Sequence, residues 1–183
     1  GNACVLVNRQ PRSPYQAGAW GCRYRDPGQP DAKPGVESLV VRSPGDWERI
    51  DFQPPSTPAL DEQLKALTEI RRGLRGEVPF VATVFCPLNV AGYLIGGSKA
   101  LREHLRQEPG AVHHALDAIA ETFVAFVYEV LNAGASGIFF ATGPWASNDT
   151  LTDDEYAVFG RPYDLRVLGA AAALTALVVL ISL

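Results

Sequence analysis

Short apolar runs alternate with amphipathic stretches along most of the chain, which is the pattern that βα units produce. Four runs have the length and the β-branched or aromatic content of buried strands, and we predict strands at 4–8, 79–85, 137–142 and 177–183. More than forty residues of helical pattern separate the second run from the third. These two strands are therefore predicted to be parallel and joined by a right-handed crossover.

The predicted helices are marked by Ser or Thr before the first turn, by Pro within it or by Gly after the last turn. The segments are a short helix from Ser43 and Pro44 through Ile50, a helix from Thr57 and Pro58 to Leu74 with Gly76 as its stop, "KALREHLRQE" capped by Ser98, the longest helix from Pro109 to Gly134, and a helix that begins at a Thr152–Glu155 capping box.

Residues 9–42 do not follow the βα pattern. Here "AWGCRYRD" and "VESLVVR" alternate in polarity and flank the turn-rich "PGQPDAKPG", so we predict an excursion with hairpin character, with the βα units over 43–183. A closed (β/α)₈ barrel needs roughly 250 residues. The prediction is therefore part of an α/β barrel, and the absence of methionine indicates a fragment or a trimmed chain.

Charge and cysteine usage exclude several classes of protein. The net charge is −4 and basic residues form no stripe, so we expect no nucleic-acid partner. Cys4, Cys22 and Cys86 are widely spaced without a CxxC pair, which favours a reducing compartment, and we expect a cytoplasmic protein. The uncharged stretch from Val167 to Leu183 has two interpretations: a membrane anchor, or an alanine-rich helix followed by a buried strand, which we favour.

In α/β barrels the chemistry lies where strands end in their carboxyl-side loops. That rule selects "NRQ" (8–10), "FCPLNVAGYLIGG" (85–97) and "ATGPWASND" (141–149). The stretch "RGEVPFVATVFCPLNVAGYLIGGSKALREHLRQEPGAVHHAL", followed by "AGASGIFFAT" and "LTDDEYAVFGRPYDLRVL", resembles the uroporphyrinogen decarboxylase family over about residues 35–168. The resemblance implies a (β/α)₈ barrel with two kinds of member: cofactor-free decarboxylases of haem and tetrapyrrole synthesis, and corrinoid or coenzyme M methyltransferases that hold zinc.

The resemblance gives Tyr93 a role as a substrate-cleft tyrosine, with Pro87, Gly96 and Gly97 as the matching substrate-binding residues. A neutral phenol can donate a hydrogen bond to a carboxylate or shield a developing charge, and small residues let a broad macrocycle approach the backbone. The alternative is that Tyr93 packs on the following helix and the two glycines form a turn.

At the other strand ends the expected contacts are less complete. In the decarboxylases the first matching strand ends in an aspartate that binds pyrrole N–H groups, whereas this chain has Asn8, which can accept a hydrogen bond but carries no charge. Thr142, Trp145 and Asn148 follow the third strand and are predicted to contact substrate or to form an ordered lid. The family's arginine-rich amino-terminal segment and its carboxyl-side histidine lie outside this chain.

Other polar residues have structural explanations. The histidines at 104, 113 and 114 fall on helices without the i, i+4 spacing of a metal pair, so no metal site is predicted. The acidic run at 153–155 occupies the first turn of a helix, where it suits the helix dipole. Cys86 is predicted to be a buried thiol rather than a nucleophile.

We therefore expect a uroporphyrinogen decarboxylase-like lyase that removes carboxylates from a tetrapyrrole or a related polycarboxylate without a cofactor. A methyltransferase with zinc and corrinoid, and an inactive truncated barrel, are the alternatives. The expected partner is the small-molecule substrate, and no association with a membrane is expected. Unpaired outer strands would favour dimers or edge-to-edge association, and the fragment alone is expected to be inactive.

Overall fold

The computed structural model describes residues 4–7, 15–25, 35–173 and 177–181. In chain order the elements are β1 (Val5–Val7), α1 (Tyr15–Gly18), β2 (Arg23–Arg25), β3 (Gly35–Ser38), a 3₁₀ helix (Pro44–Arg49), α2 (Pro58–Leu74), β4 (Phe80–Phe85), α3 (Pro87–Ile95), α4 (Ser98–Gln107), α5 (Pro109–Asn132), β5 (Gly137–Ala141), a second 3₁₀ helix (Gly143–Ala146), α6 (Asp153–Phe159), α7 (Arg161–Ala173) and β6 (Leu177–Ile181).

Four strands form one parallel sheet in the order β1-β4-β5-β6. The register pairs Val5 with Phe80, Val81 with Gly137, and Gly137 with Leu177. All six residues of β4 are buried, as expected for a parallel strand covered on both faces. The predicted partial α/β barrel, with helices between parallel strands, is confirmed.

The longest helix, α5, packs against α3, α7 and β4 and contributes many residues to the core. Val112, Leu116, Ile119, Phe123 and Val127 of this helix are fully buried. They recur at three- and four-residue spacing, which places them on one face of the helix. This packing fixes the crossover from β4 to β5, and with it the relative position of the two strand ends.

Two predicted helix caps differ from the structure, although the helix predicted from Pro58 to Leu74 has those bounds. The helix that ends at Leu74 is closed by Arg75, which adopts the left-handed conformation at φ 53°, one residue before Gly76. Gly97 takes the N-cap position of α4, and Ser98 is the first residue of the helix. In both places the turn geometry of the chain decides which residue acts as the cap.

Helix α3 is the longest element that the sequence did not predict. It begins at Pro87, directly after β4, and eight of its nine residues are buried. A helix buried on nearly every side has no polar face, so its sequence lacks the apolar periodicity that reveals an amphipathic helix.

The excursion before the 3₁₀ helix contains an antiparallel pair, β2 with β3, as its alternating pattern predicts. The chain that follows β3 is held against α3, because the backbone N–H groups of Val40 and Val41 donate to the Leu94 carbonyl at 3.2 and 3.0 Å. The division of the chain into two parts at residue 42 stays a prediction.

The chain after Val167 divides as we favoured, into the end of α7 and the strand β6. Within the described ranges, no helix is both long enough and apolar enough to cross a membrane.

Candidate site at the carboxyl ends of the strands

The carboxyl ends of β4 and β5 are joined by direct hydrogen bonds. The N–H of Cys86, one residue past β4, donates to the Ala141 carbonyl at 3.0 Å, and its thiol lies 3.5 Å from the Thr142 carbonyl. The segments that follow the two strands therefore start side by side, as the strand-end rule requires of a site.

Tyr93 lies half-buried on α3, close to the end of β4. Its ring centroid is 5.8 Å from that of Phe85, with the two planes tilted by 54°. Burial, and secondly the charge that the Cys86 thiol would carry, raise the pKa of the Tyr93 phenol. The hydroxyl therefore stays protonated at neutral pH and is able to donate a hydrogen bond.

Cys86 is the N-cap of α3 and is 1% exposed. The N–H of Asn89 donates to its sulfur at 3.3 Å, which satisfies one orphan donor of the first turn. Burial is the largest cause that raises the pKa of the Cys86 thiol well above its usual value, and the nearby charge of Asp164 acts in the same direction. The group is thus a neutral buried thiol, as the sequence indicated, and not an activated nucleophile.

Gln16 forms hydrogen bonds with the edge of β4 beyond the point where its pairing with β1 ends. The sequence analysis did not identify this residue. Its side chain is fully buried; Nε2 donates to the Thr83 carbonyl at 3.1 Å, and Oε1 accepts from the Phe85 N–H at 2.9 Å. These two groups flank Val84, so the glutamine amide replaces one residue of a neighbouring parallel strand. No local sequence pattern marks such a contact, which joins positions 67 and 69 residues apart.

The other residues predicted beside Tyr93 occupy a helix start and a turn. Pro87 is the buried first residue of α3, whereas Gly96 and Gly97 connect α3 to α4 with φ values of 92° and 143°. A Cβ at Gly96 would lie 2.8 Å from Leu39 Cδ1. Backbone geometry thus accounts for both glycines, as in the alternative interpretation, and substrate contact by these three residues stays a prediction.

The segment after β5 combines one buried anchor with an exposed rim. Trp145 is 2% exposed, and a Cβ at Gly92 of α3 would lie 3.1 Å from its Cζ2 atom. Thr142 is half-buried, and Asn148 and Asp149 are exposed. The structure therefore places Trp145 in the core and Asn148 at the rim, and their contact with a ligand stays a prediction. Asn8, which was also predicted to contact substrate, lies outside the described residues.

The acidic run at the start of α6 is a capping box. Thr152 Oγ1 accepts from the Glu155 N–H at 3.1 Å, and Glu155 Oε2 accepts from the Thr152 N–H at 3.0 Å. The Thr152 backbone bond, and then the bond from Arg106, lower the pKa of Glu155. This carboxylate is therefore ionised and occupied in capping, which is not the state of a general acid.

Each histidine has its own partner. His104 Nδ1 accepts from Trp47 Nε1 at 2.9 Å, His113 Nδ1 lies 2.6 Å from the Tyr163 hydroxyl, and His114 Nε2 lies 4.0 Å from an Asp51 carboxylate oxygen. Among the described residues, no group of three or more His, Cys, Asp or Glu side chains is arranged to hold a metal ion.

Comparison with known proteins places this geometry in a family. A family model described as uroporphyrinogen decarboxylase (URO-D) matches residues 16–181. The uroporphyrinogen decarboxylase of Alkalilimnicola ehrlichii is 31% identical over 137 residues, which covers 70% of this chain and 35% of that protein. The uroporphyrinogen decarboxylase of Hydrogenovibrio crunogenus is 25% identical over 134 residues, with 70% and 36% covered. The chain thus spans about a third of the length of these curated relatives.

Among solved structures, a methyltransferase from Methanosarcina mazei superimposes with a TM-score of 0.78 at 22% identity, over 97% of this chain and 50% of that one. At this identity the likeness supports the barrel fold alone. The family model, in contrast, matches most of the sequence, strand ends included. The chain therefore belongs to the uroporphyrinogen decarboxylase family.

Proposed function

We propose that this chain forms part of a cofactor-free, cytoplasmic carboxy-lyase that removes carboxylates from a tetrapyrrole or a related polycarboxylate. The observation that carries this proposal is the protonated, half-buried phenol of Tyr93 at the end of β4. Residues 79–98, which carry this phenol, contain no charged side chain, and we call the surface they form at the end of β4 the neutral wall. Family membership supports the substrate class, and the position of the Tyr93 phenol at a strand end supports its assignment as a donor to a substrate carboxylate.

A neutral wall suits decarboxylation because the leaving group changes from an anion to neutral carbon dioxide. In the proposed reaction the substrate ring is first protonated, and the electron pair of the bond between the side-chain methylene and its carboxylate moves into the ring as carbon dioxide leaves. The methylene then takes up a proton and the ring loses one. An apolar surface destabilises the carboxylate more than the neutral product, which lowers the barrier.

Within this scheme the phenol of Tyr93 donates a hydrogen bond that orients a substrate carboxylate. A neutral donor aligns this group without the strong ground-state stabilisation that a guanidinium or ammonium would give. We assign Asn8 and the segment from Thr142 to Asp149 to the rest of the substrate contact surface, with Pro87, Gly96 and Gly97 completing the wall beside Tyr93.

The test is turnover of uroporphyrinogen by the purified full-length protein that contains this chain, followed by released carbon dioxide and by chromatography of the porphyrins after oxidation. Tyr93→Phe is expected to lower kcat/KM by about 10- to 100-fold, because one positioned donor is removed. Tyr128→Phe is the matched control, since this tyrosine is exposed on α5. Wild-type turnover by Tyr93→Phe would remove the assignment of the phenol.

Methyl transfer is the second candidate, since the structural neighbour is a methyltransferase. Protein that releases no carbon dioxide but methylates a thiol from methylcobalamin, with zinc added, would support it. Protein that does neither would support an inactive barrel.

A further inference from the structure

Asp164 is a carboxyl group buried in the helix layer behind the end of β4. It lies in the first turn of α7 and is 3% exposed. The Tyr156 hydroxyl of α6 donates to its Oδ2 at 2.8 Å, whereas its Oδ1 is buried without a hydrogen-bond partner among the described residues. An ionised carboxylate in such a place loses its hydration and regains a single hydrogen bond.

Its titratable surroundings do not compensate for this. Cys86 faces Asp164 from the end of β4, and Tyr156 faces it from α6. On α5, which packs against α7, His113 bonds the Tyr163 hydroxyl and Asp117 pairs with Arg166. Two further charged groups lie on these helices: Arg161 of α7 acts on the Tyr156 phenol, and Glu155 of α6 binds Arg106.

Burial therefore decides the titration of Asp164. It raises the pKa of this carboxyl from 3.8 to about 7, while the hydrogen bond from Tyr156 acts in the opposite direction. The protonated carboxyl of Asp164 is therefore more stable in the buried position, whereas the ionised carboxylate is more stable when it is exposed to water.

The Tyr156–Asp164 hydrogen bond spans the corner where α6 turns into α7. Gly160 forms this corner, and a Cβ on it would overlap the Tyr156 ring and lie 3.2 Å from Leu88 Cδ1 of α3. The Tyr156 ring thus lies against the corner, and Leu88 of the helix that carries Tyr93 lies close to the same glycine. Helix α6 also directly follows the rim segment, residues 142–152.

We propose that Asp164 and Tyr156 form a proton-dependent latch for the α6–α7 corner, which is closed while Asp164 carries a proton and loosens when the carboxyl ionises. Linkage sets the pH window. The opening equilibrium is constant below pH 3.8, rises by up to tenfold per pH unit between 3.8 and about 7, and is constant above that. This device does not depend on the reaction proposed above.

Amide hydrogen exchange of peptides from α6 and α7, measured from pH 4.5 to 8.5, tests the latch. Asp164→Asn keeps the shape and removes the charge. The ratio of wild-type to variant exchange rates cancels the intrinsic pH dependence of exchange. We expect this ratio to rise at least tenfold between pH 4.5 and 7.5 and then to level off.

Asp117→Asn is the matched control, because it removes the same charge from an exposed residue that also contacts α7. Its ratio should not change with pH. A pH-independent ratio for Asp164→Asn, or an equal rise for Asp117→Asn, would overturn the latch.

A second measurement tests the proposal on the wild-type protein, in case Asp164→Asn does not fold. The ¹³C resonances of the aspartate carboxyls should include one that titrates near pH 7 in the wild-type protein. Tyr156→Phe should move this midpoint upward, because it removes the hydrogen bond that favours the ionised form. If every aspartate titrated below pH 5, the proposal would be contradicted.

Discussion

The ends of β4 and β5 lie next to each other, yet the chain leaves them in opposite ways. After β4 it turns directly into α3, which is buried along almost its whole length. The edge of β4 just before this turn is hydrogen-bonded to the Gln16 side chain. After β5 it forms an exposed segment that returns to the core at Trp145 and at Leu151. One strand end is thus a fixed wall, and the other is an anchored rim.

Because of this difference, substitutions at the two strand ends should affect different properties of the protein. Residues of the wall are buried in the core, so changing them affects the free energy of unfolding before it affects any ligand. Exposed residues of the rim contribute little to stability, so changing them affects binding alone. Trp145 is the exception, because it belongs to the rim in sequence and to the wall in space.

Trp145→Ala is expected to have the largest effect on stability. Removal of a buried indole that packs over Gly92 should lower the free energy of unfolding by about 3–5 kcal/mol. Urea denaturation measures this loss, and Trp145→Phe, which keeps an aromatic ring, should lose less. A loss below about 1 kcal/mol would show that the rim is not anchored at this residue.

Gln16→Leu should have the next largest effect. Leucine fills a similar volume but leaves the Thr83 carbonyl and the Phe85 N–H without the glutamine amide, at about 1–3 kcal/mol for each buried group. Burial of the apolar leucine side chain offsets part of this cost, so the expected loss in urea denaturation is about 2–4 kcal/mol. Gln107→Leu, on an exposed position of α4, serves as the control and should change stability by less than about 0.5 kcal/mol. Equal stabilities of the two variants would mean that the amide does not close the sheet.

Asn148→Ala should have the smallest effect on stability, within about 0.5 kcal/mol, since the residue is exposed on the rim. If the rim contacts substrate, kcat/KM should nevertheless fall up to about tenfold, the value of one hydrogen bond. The control is Asn132→Ala, an exposed asparagine at the end of α5 that precedes the opposite end of β5. If both variants turn over substrate at the wild-type rate, Asn148 is not part of the site.

The sheet was predictable because its signals are local. A fully buried parallel strand needs five or six consecutive apolar residues, and "PFVATVF" and "GIFFAT" satisfy that need whatever their neighbours are. The same holds for the capping box at Thr152 and Glu155, whose partners are three residues apart. Helix α3 escaped prediction because complete burial removes the periodic polar face. Its closing glycines then looked like part of a loop.

For the candidate site, the sequence located both strand ends and the phenol of Tyr93, because strand ends follow from strands and the family motif extends over them. It could not reveal that the Gln16 amide forms the hydrogen bonds beside Val84 that a neighbouring strand would otherwise form. The residues near position 16 carry no information about where the pairing of β1 with β4 ends. Nor could it distinguish Asp164 from exposed aspartates such as Asp117. The protonation state of a carboxyl depends on the water it retains, and that is determined only when α3, α6 and α7 pack around it.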